Sequence, residues 1–131
     1  MTSNQQLITG VDFVGIPTHD LAAAVEFYGE TLGLPRSVYM PGRHFAEFET
    51  GNLTINIMDA NAMGLEHHVN RNAVALHVDD VAAARAMLEQ KGVAFAGGIF
   101  DTGVCHMAFF EDPDGNSLML HHRYAPREPT G

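Results

Sequence analysis

The chain has 131 residues, of which 46% are hydrophobic and 18% charged, so it is large and apolar enough for one folded domain and is not an intrinsically disordered protein. Sixteen acidic residues against seven basic ones give a formal charge of −9, which disfavours binding to nucleic acid or to an anionic membrane. One cysteine excludes an internal disulfide framework, and the polar N-terminus with no apolar run of roughly 20 residues predicts a cytoplasmic protein.

The first half of the chain predicts a strand, a helix and three further strands. An apolar run rich in β-branched residues predicts the first strand at residues 11–16. Asp20 stands at an N-cap position, and Gly33 is suited to end the helix in a left-handed conformation. Between them, apolar residues recur at helical spacing: Leu21, Val25, Tyr28 and Leu32. The following extended runs are 37–41, 43–48 and 53–58.

The second half repeats this order. At an offset of 60 residues Asp80 matches Asp20, and the helix that it begins is predicted to end at Gly92. Strands are predicted at 73–78, 93–96, 104–110 and 117–122. The sequence therefore predicts an α+β domain over residues 7–124, made of two β-α-β-β-β modules at about 7–62 and 72–124. Residues 1–6 and 125–131 are predicted to be flexible tails.

This combination resembles the vicinal oxygen chelate superfamily, which includes glyoxalases, extradiol dioxygenases and fosfomycin- and bleomycin-resistance proteins. The segments that carry the resemblance are VDFVGI (11–16), DLAAAVEFY (20–28), LGL (32–34), VDDV (78–81) and FFEDPDGN (109–116). The resemblance implies two mixed sheets that curl into a cup, and a cup that holds either a divalent metal ion or a bound ligand. Because the superfamily hosts many chemistries, the fold alone does not define the activity.

The resemblance places the family's metal ligands at Phe13, Ile55, Ala73 and Met119. The first three side chains are hydrocarbon, and the thioether of Met119 is a soft ligand that does not suit the divalent ions of this family. Shifting all four positions together along the chain does not produce three good ligands either. We therefore expect no metal ion in the cup and no cofactor.

The same resemblance, extended by strand alternation, predicts a small-molecule site in the cup. Its predicted lining is Phe13, Phe45, Ile55, Ile57, Ala73, Ala75, His77, Met107, Phe109, Met119 and His121. A mainly apolar lining with a few polar groups is typical of a ligand pocket, although for any one of these apolar residues packing in an ordinary core is the more common role. His77, His121 and Glu47 are candidate acid–base groups, and as residues near strand ends or the rim they are also ordinary half-exposed side chains.

These patterns favour a protein that binds a small apolar or aromatic molecule without metal, for sequestration or resistance. The alternatives are a lyase, isomerase or oxygenase with an unconventional metal site or with Glu47, His77 and His121 as acid–base groups, and a regulatory module whose cup is filled core. Open sheet edges and apolar rims predict a homodimer. His67 and His68 lie in a loop where they could bind a metal ion adventitiously, but they are interpreted as solvated residues.

Overall fold

In the computed structural model, which describes residues 6–127, the chain forms two four-stranded sheets and two helices. The first module comprises β1 (Phe13–Thr18), α1 (Leu21–Glu26) continuing into a π-helical segment (Phe27–Thr31), β2 (Arg36–Met40), β3 (Phe45–Glu49) and β4 (Thr54–Asp59). The second comprises β5 (Val74–His77), α2 (Val81–Gln90), β6 (Phe95–Asp101), β7 (Cys105–Glu111) and β8 (Ser117–Arg123). The predicted tails fall mostly outside the described residues.

The two sheets have the same topology, which confirms the internal repeat and the α+β fold. The strand orders are β1-β4-β3-β2 and β5-β8-β7-β6. In each sheet the first and last strands of the module pair in parallel, and the remaining pairs are antiparallel. Neither sheet closes into a barrel, so each keeps two edge strands. Within residues 6–127, no helix has the length and apolar character needed to cross a membrane.

Both helices begin at the predicted aspartates. The side chain of Asp20 accepts a hydrogen bond from the amide of Ala23 at 3.1 Å, and Asp80 accepts one from Ala83 at 3.0 Å. Each bond satisfies one of the amide donors that the first helical turn leaves without a partner. The two capped turns hold the end of β1 and of β5 at matching positions in the two modules.

The largest difference from the predicted elements is in β6. The sequence pattern ends this strand at residue 96 because two glycines follow, whereas the strand runs to Asp101. Its pairing with β7 shifts register between Ala96 and Phe100, and Gly97 adopts a φ of 72° there. A bulge thus absorbs the glycines, which lets Phe100 pair with Met107 beyond it.

One hydrophobic core joins both modules. It consists of Ile16, Ala24, Tyr28, Ala46, Phe48, Ile55, Ile57, Val81, Leu88, Ala108, Phe110, Leu118 and Leu120. These residues come from the helices and from one face of each sheet, which we call the inner face. Side chains alternate along a strand, so the opposite face of each sheet, called here the open face, lies outside this core.

A buried polar network connects the modules beside the core. The hydroxyl of Tyr28 donates to Asp112 Oδ2 at 2.7 Å, and Asn116 Nδ2 donates to the same oxygen at 2.9 Å and to the carbonyl of Pro17 at 2.8 Å. Burial raises the pKa of Tyr28 far above its ordinary value, and the neighbouring Asp112 carboxylate raises it further. The phenol therefore stays protonated and serves as a donor that fixes the turn at residues 112–116.

Candidate functional site

The open faces carry the candidate site. On the first sheet the open face is formed by Phe13, Met40, Phe45, Glu47, Thr54, Asn56 and Met58. On the second sheet it is formed by Ala75, His77, Phe100, Met107, Phe109, Met119 and His121. Eight of the predicted ligand-binding residues lie on these faces: Phe13, Phe45, Ala75, His77, Met107, Phe109, Met119 and His121. Ala73 precedes β5 and is partly buried.

The predicted orientation of Ile55 and Ile57 is wrong. Both are fully buried in the inner-face core, at 1% and 0% exposure, where they pair with Val14 and Ile16 of β1. Compared with the second module, the first has one additional residue between the glycine of its β-turn and the strand that follows. Since side-chain direction alternates with a period of two, that one residue exchanges the two faces of β4.

Asn56 of β4 consequently occupies the position that corresponds to Met119 in β8 of the second module. The sequence analysis did not identify Asn56 as a site residue. Its side chain is 8% exposed on the open face, and its Nδ2 donates to Glu47 Oε2 at 3.0 Å. Its Oδ1 is shielded from solvent and accepts no hydrogen bond. A buried acceptor without a partner is an unfavourable arrangement that a ligand donor can relieve.

The residues present do not fit the metal site of the superfamily. Phe13 and Ala73 carry no lone pair on their side chains, and Met119 offers only a thioether. The side chain of Asn56 is a neutral amide whose Nδ2 already donates a hydrogen bond to Glu47. A divalent ion of the kind this family uses needs several nitrogen or charged oxygen ligands, which these positions do not supply.

The open face of the second sheet is a continuous apolar surface. Ala75, Met119 and Phe109 lie side by side on β5, β8 and β7, because the register pairs each with the next. Phe109 contacts Phe100 edge to face, with ring centroids 5.9 Å apart. The side chain of Ala75 is small, so it leaves space beside the larger aromatic and thioether side chains of this surface.

Two histidines lie at one end of this surface. His77 and His121 are register partners on β5 and β8, and His77 Nε2 lies 3.3 Å from Asp79 Oδ1 at an exposed position. Glu47, the third candidate acid–base group, lies on the other sheet beside Asn56. No hydrogen bond or ion pair among the described residues joins Glu47 to either histidine.

Large apolar side chains of both open faces are accessible to solvent. Phe13 is 52% exposed and Met40 43% on the first sheet, and Phe100 is 56% exposed on the second. Exposed aromatic and thioether groups concentrated on one face commonly mark a binding surface. Both open faces thus carry apolar side chains that are accessible to solvent, and the open face of the second sheet is the more apolar of the two.

Two cavities lie outside the open faces. One, of about 620 Å³, lies between the modules, is lined mainly by inner-face residues and the exposed Met87, and also touches Ile55, Ala75 and His77. The other, of about 680 Å³, lies beside β6 and β7 and touches Phe109. Both volumes fall within the range of small-molecule sites. The residues predicted for one pocket are therefore distributed over the open faces and both cavities.

Comparison with known proteins identifies the class to which this fold and site belong. Residues 10–120 match the model of the Glyoxalase/Bleomycin resistance protein/Dioxygenase superfamily, and the chain belongs to this superfamily. No curated protein matches the chain.

Solved structures with the same fold include an antibiotic binding protein. TnmS3, an antibiotic binding protein from Streptomyces sp. CB03234, is 28% identical with a TM-score of 0.76, covering 91% of this chain and 99% of that one. A glyoxalase/bleomycin resistance protein/dioxygenase from Nocardioides is 25% identical with a TM-score of 0.77, covering 98% and 92%. Lactoylglutathione lyase from Agrobacterium tumefaciens, at 20% identity, a TM-score of 0.72 and coverages of 87% and 93%, shares the fold.

Proposed function

We propose that this protein binds a small, largely apolar or aromatic molecule without the help of a metal ion, for sequestration or resistance. The observation that carries the proposal is the lack of suitable metal ligands at Phe13, Ala73 and Met119, three positions where the family resemblance places such ligands. Binding by sequestration requires affinity alone, so the loss of metal ligands leaves the role intact. The similarity to an antibiotic binding protein over most of both chains supports it.

The open face of the second sheet supplies the contacts that such a molecule needs. A flat ring system stacks on Phe109, contacts the polarisable thioether of Met119 and fits above Ala75. Polar groups at the edges orient it: His77 and His121 at the strand ends and, in the homodimer described next, the unpartnered Asn56 Oδ1 on the first sheet of the other chain. One or two such polar contacts give orientation, and the apolar floor gives most of the affinity.

The protein is expected to act as a symmetric homodimer. The exposed aromatic and thioether groups on both open faces are covered when the first sheet of one chain faces the second sheet of its partner. That arrangement completes a cup from two chains and brings Asn56 of one chain opposite the apolar row of the other. A single chain leaves apolar area on both sheets in contact with water, and this exposed area supports the formation of a dimer.

An enzymatic role as a lyase, isomerase or oxygenase has less support from the geometry. Acid–base chemistry by Glu47, His77 and His121 requires these groups to approach one reacting atom, within hydrogen-bond reach. Within one chain, Glu47 is instead hydrogen-bonded to Asn56 on the first sheet, and no hydrogen bond or ion pair among the described residues joins it to a histidine of the second sheet. Binding without catalysis therefore remains the function that the site favours.

Native mass spectrometry of freshly purified, tag-free protein tests the proposal and the assembly together. We expect a species of about 28 kDa, twice the 14.2 kDa chain, that carries additional mass from a small organic molecule. A 14.2 kDa species at tens of micromolar would contradict the dimer. One metal ion per chain that persists after chelation and disappears in Asn56→Ala would contradict metal-independent binding.

A further inference from the structure

A cluster of potential metal ligands lies away from both open faces. It consists of His19 in the turn between β1 and α1, His67 in the segment between the modules, and Asp114 in the turn between β7 and β8. One ligand atom from each of these side chains lies within 4.8 Å of the others. Among the residues that the structure describes, this is the one group of three or more such side chains with this proximity.

Local hydrogen bonds hold Asp114 in place. Its Oδ1 accepts from the backbone amide of His19 at 2.8 Å, and its Oδ2 accepts from the hydroxyl of Thr18 at 2.6 Å. A carboxylate has about four lone-pair sites, so two bonds leave acceptor capacity on both oxygens. The carboxylate is therefore fixed in position and still able to bind a cation.

His67 supplies an independent indication of a ligand. Both of its ring nitrogens are shielded from solvent, and neither has a hydrogen-bond partner. The ring of His19 stacks on it, with centroids 3.5 Å apart and an interplanar angle of 27°. Stacking covers one face of the ring, but it leaves the lone pair of a nitrogen in the ring plane unused, and ring nitrogens that are shielded from solvent without any partner are uncommon.

We propose that His19, His67 and Asp114 bind one divalent transition-metal ion of the zinc type, independently of the ligand site on the open faces. Two imidazole nitrogens and a carboxylate oxygen are typical ligands of Zn²⁺, and the fourth position is then open to water. Metal–ligand distances of about 2.0–2.2 Å place neighbouring tetrahedral ligand atoms about 3.4 Å apart, so the cluster has to contract. The exposed His19 allows this, because its ring can turn out of the stack and direct its lone pair at the ion.

The ion would connect three parts of the chain that are distant in sequence. The turn after β1 belongs to the first module, Asp114 belongs to the second, and His67 lies between them. A ligand that binds the folded state and not the unfolded chain raises the unfolding temperature in proportion to the logarithm of its concentration. The net charge of −9 also favours a cation over an anion at this site.

The experiment titrates Zn²⁺ into tag-free protein that has been treated with a chelator and dialysed. We expect one ion per chain by calorimetry and a rise in unfolding temperature that increases with the concentration of free Zn²⁺. His67→Gln and His19→Gln should each weaken binding by at least about tenfold and remove most of the thermal shift. His68→Gln is the matched control, because His68 is adjacent, exposed and paired with Glu66, and it should bind as the wild type does.

Co²⁺ provides a second readout, since its visible absorption distinguishes tetrahedral binding from loose surface association. The wild type and His68→Gln should show the intense tetrahedral bands, and His19→Gln should lose them. Wild-type protein without stoichiometric binding would overturn the proposal. So would loss of binding in His68→Gln with retention in His19→Gln, or loss in Glu47→Gln, which would place the ion on the first open face. Should His67→Gln fold poorly, the exposed His19→Gln decides the outcome.

Discussion

Replacing Asn116 by alanine should lower the free energy of unfolding by about 3–5 kcal/mol. Asn116 is fully buried; its Nδ2 donates to Pro17 and Asp112, and its Oδ1 accepts from the amide of Asn70 at 2.8 Å. Alanine leaves the Pro17 carbonyl and the Asn70 amide without these partners, at about 1–3 kcal/mol each. Urea denaturation at neutral pH measures the difference.

The internal repeat offers a matched control for this substitution. Asn52 follows the turn glycine of the first module as Asn116 follows that of the second, but it is exposed and its side chain accepts one bond, from Thr50 Oγ1 at 3.2 Å. Asn52→Ala should therefore change the stability by about 0.5 kcal/mol or less. Equal losses in the two variants would show that the network at residues 112–116 does not hold the modules together.

Ala75→Phe should reduce the affinity for a flat apolar ligand at least about tenfold while the unfolding temperature changes by a few degrees or less. Ala75 is exposed on the open face, so a phenyl ring there displaces no core atoms but fills the space above the row that continues to Met119 and Phe109. Nile red, a neutral and flat aromatic dye, is a suitable probe, and its fluorescence reports binding directly.

Two further variants locate the ligand. Ala86→Phe adds the same ring at an exposed position of α2 and should leave dye binding unchanged. Met87→Trp narrows the mouth of the cavity between the modules, where Met87 is 63% exposed, and should also leave it unchanged. Loss of binding in Met87→Trp with normal binding in Ala75→Phe would place the ligand between the modules. Loss of the dimer in Ala75→Phe would make Ala75 an interface residue.

The order of the elements follows from local features of the sequence. Asp20 and Asp80 cap their helices as predicted because capping depends on a side chain and an amide three residues away. The repeat predicts two modules of the same element order, and the two sheets do share one strand order. Local chemistry and one long-range match were therefore sufficient for the elements and the repeat, while the arrangement in two sheets was implied by the family resemblance.

The orientation of β4 depends on a difference of one residue in the connection before it, which the sequence pattern does not reveal. A single additional residue before Thr54 sends Ile55 and Ile57 to the inner face and Asn56 to the open face. Hydrophobicity does not correct the error, because isoleucine suits both a core and an apolar pocket. The burial of Asn56 beside Glu47 becomes evident only when the register is known.

The cluster of His19, His67 and Asp114 was beyond sequence reasoning for a different reason. All three residues lie in connecting segments, which have no periodicity. The interpretation of His67 as a solvated residue is wrong, because both of its ring nitrogens are shielded from solvent. Their proximity results from the packing of the turn after β1 against the turn at residues 112–116. Contacts between loops of different modules are set by the tertiary structure and not by any local pattern.

Nile red binding to chelator-treated protein tests the central proposal most directly. The titration is made with wild type and with His67→Gln, each after dialysis against a chelator and again after addition of one equivalent of Zn²⁺, Mn²⁺, Ni²⁺ or Fe²⁺. Metal-independent binding on the open face predicts dissociation constants that agree within about twofold under all of these conditions. Dye binding that is lost on chelation and restored by one of these ions in both proteins would contradict it.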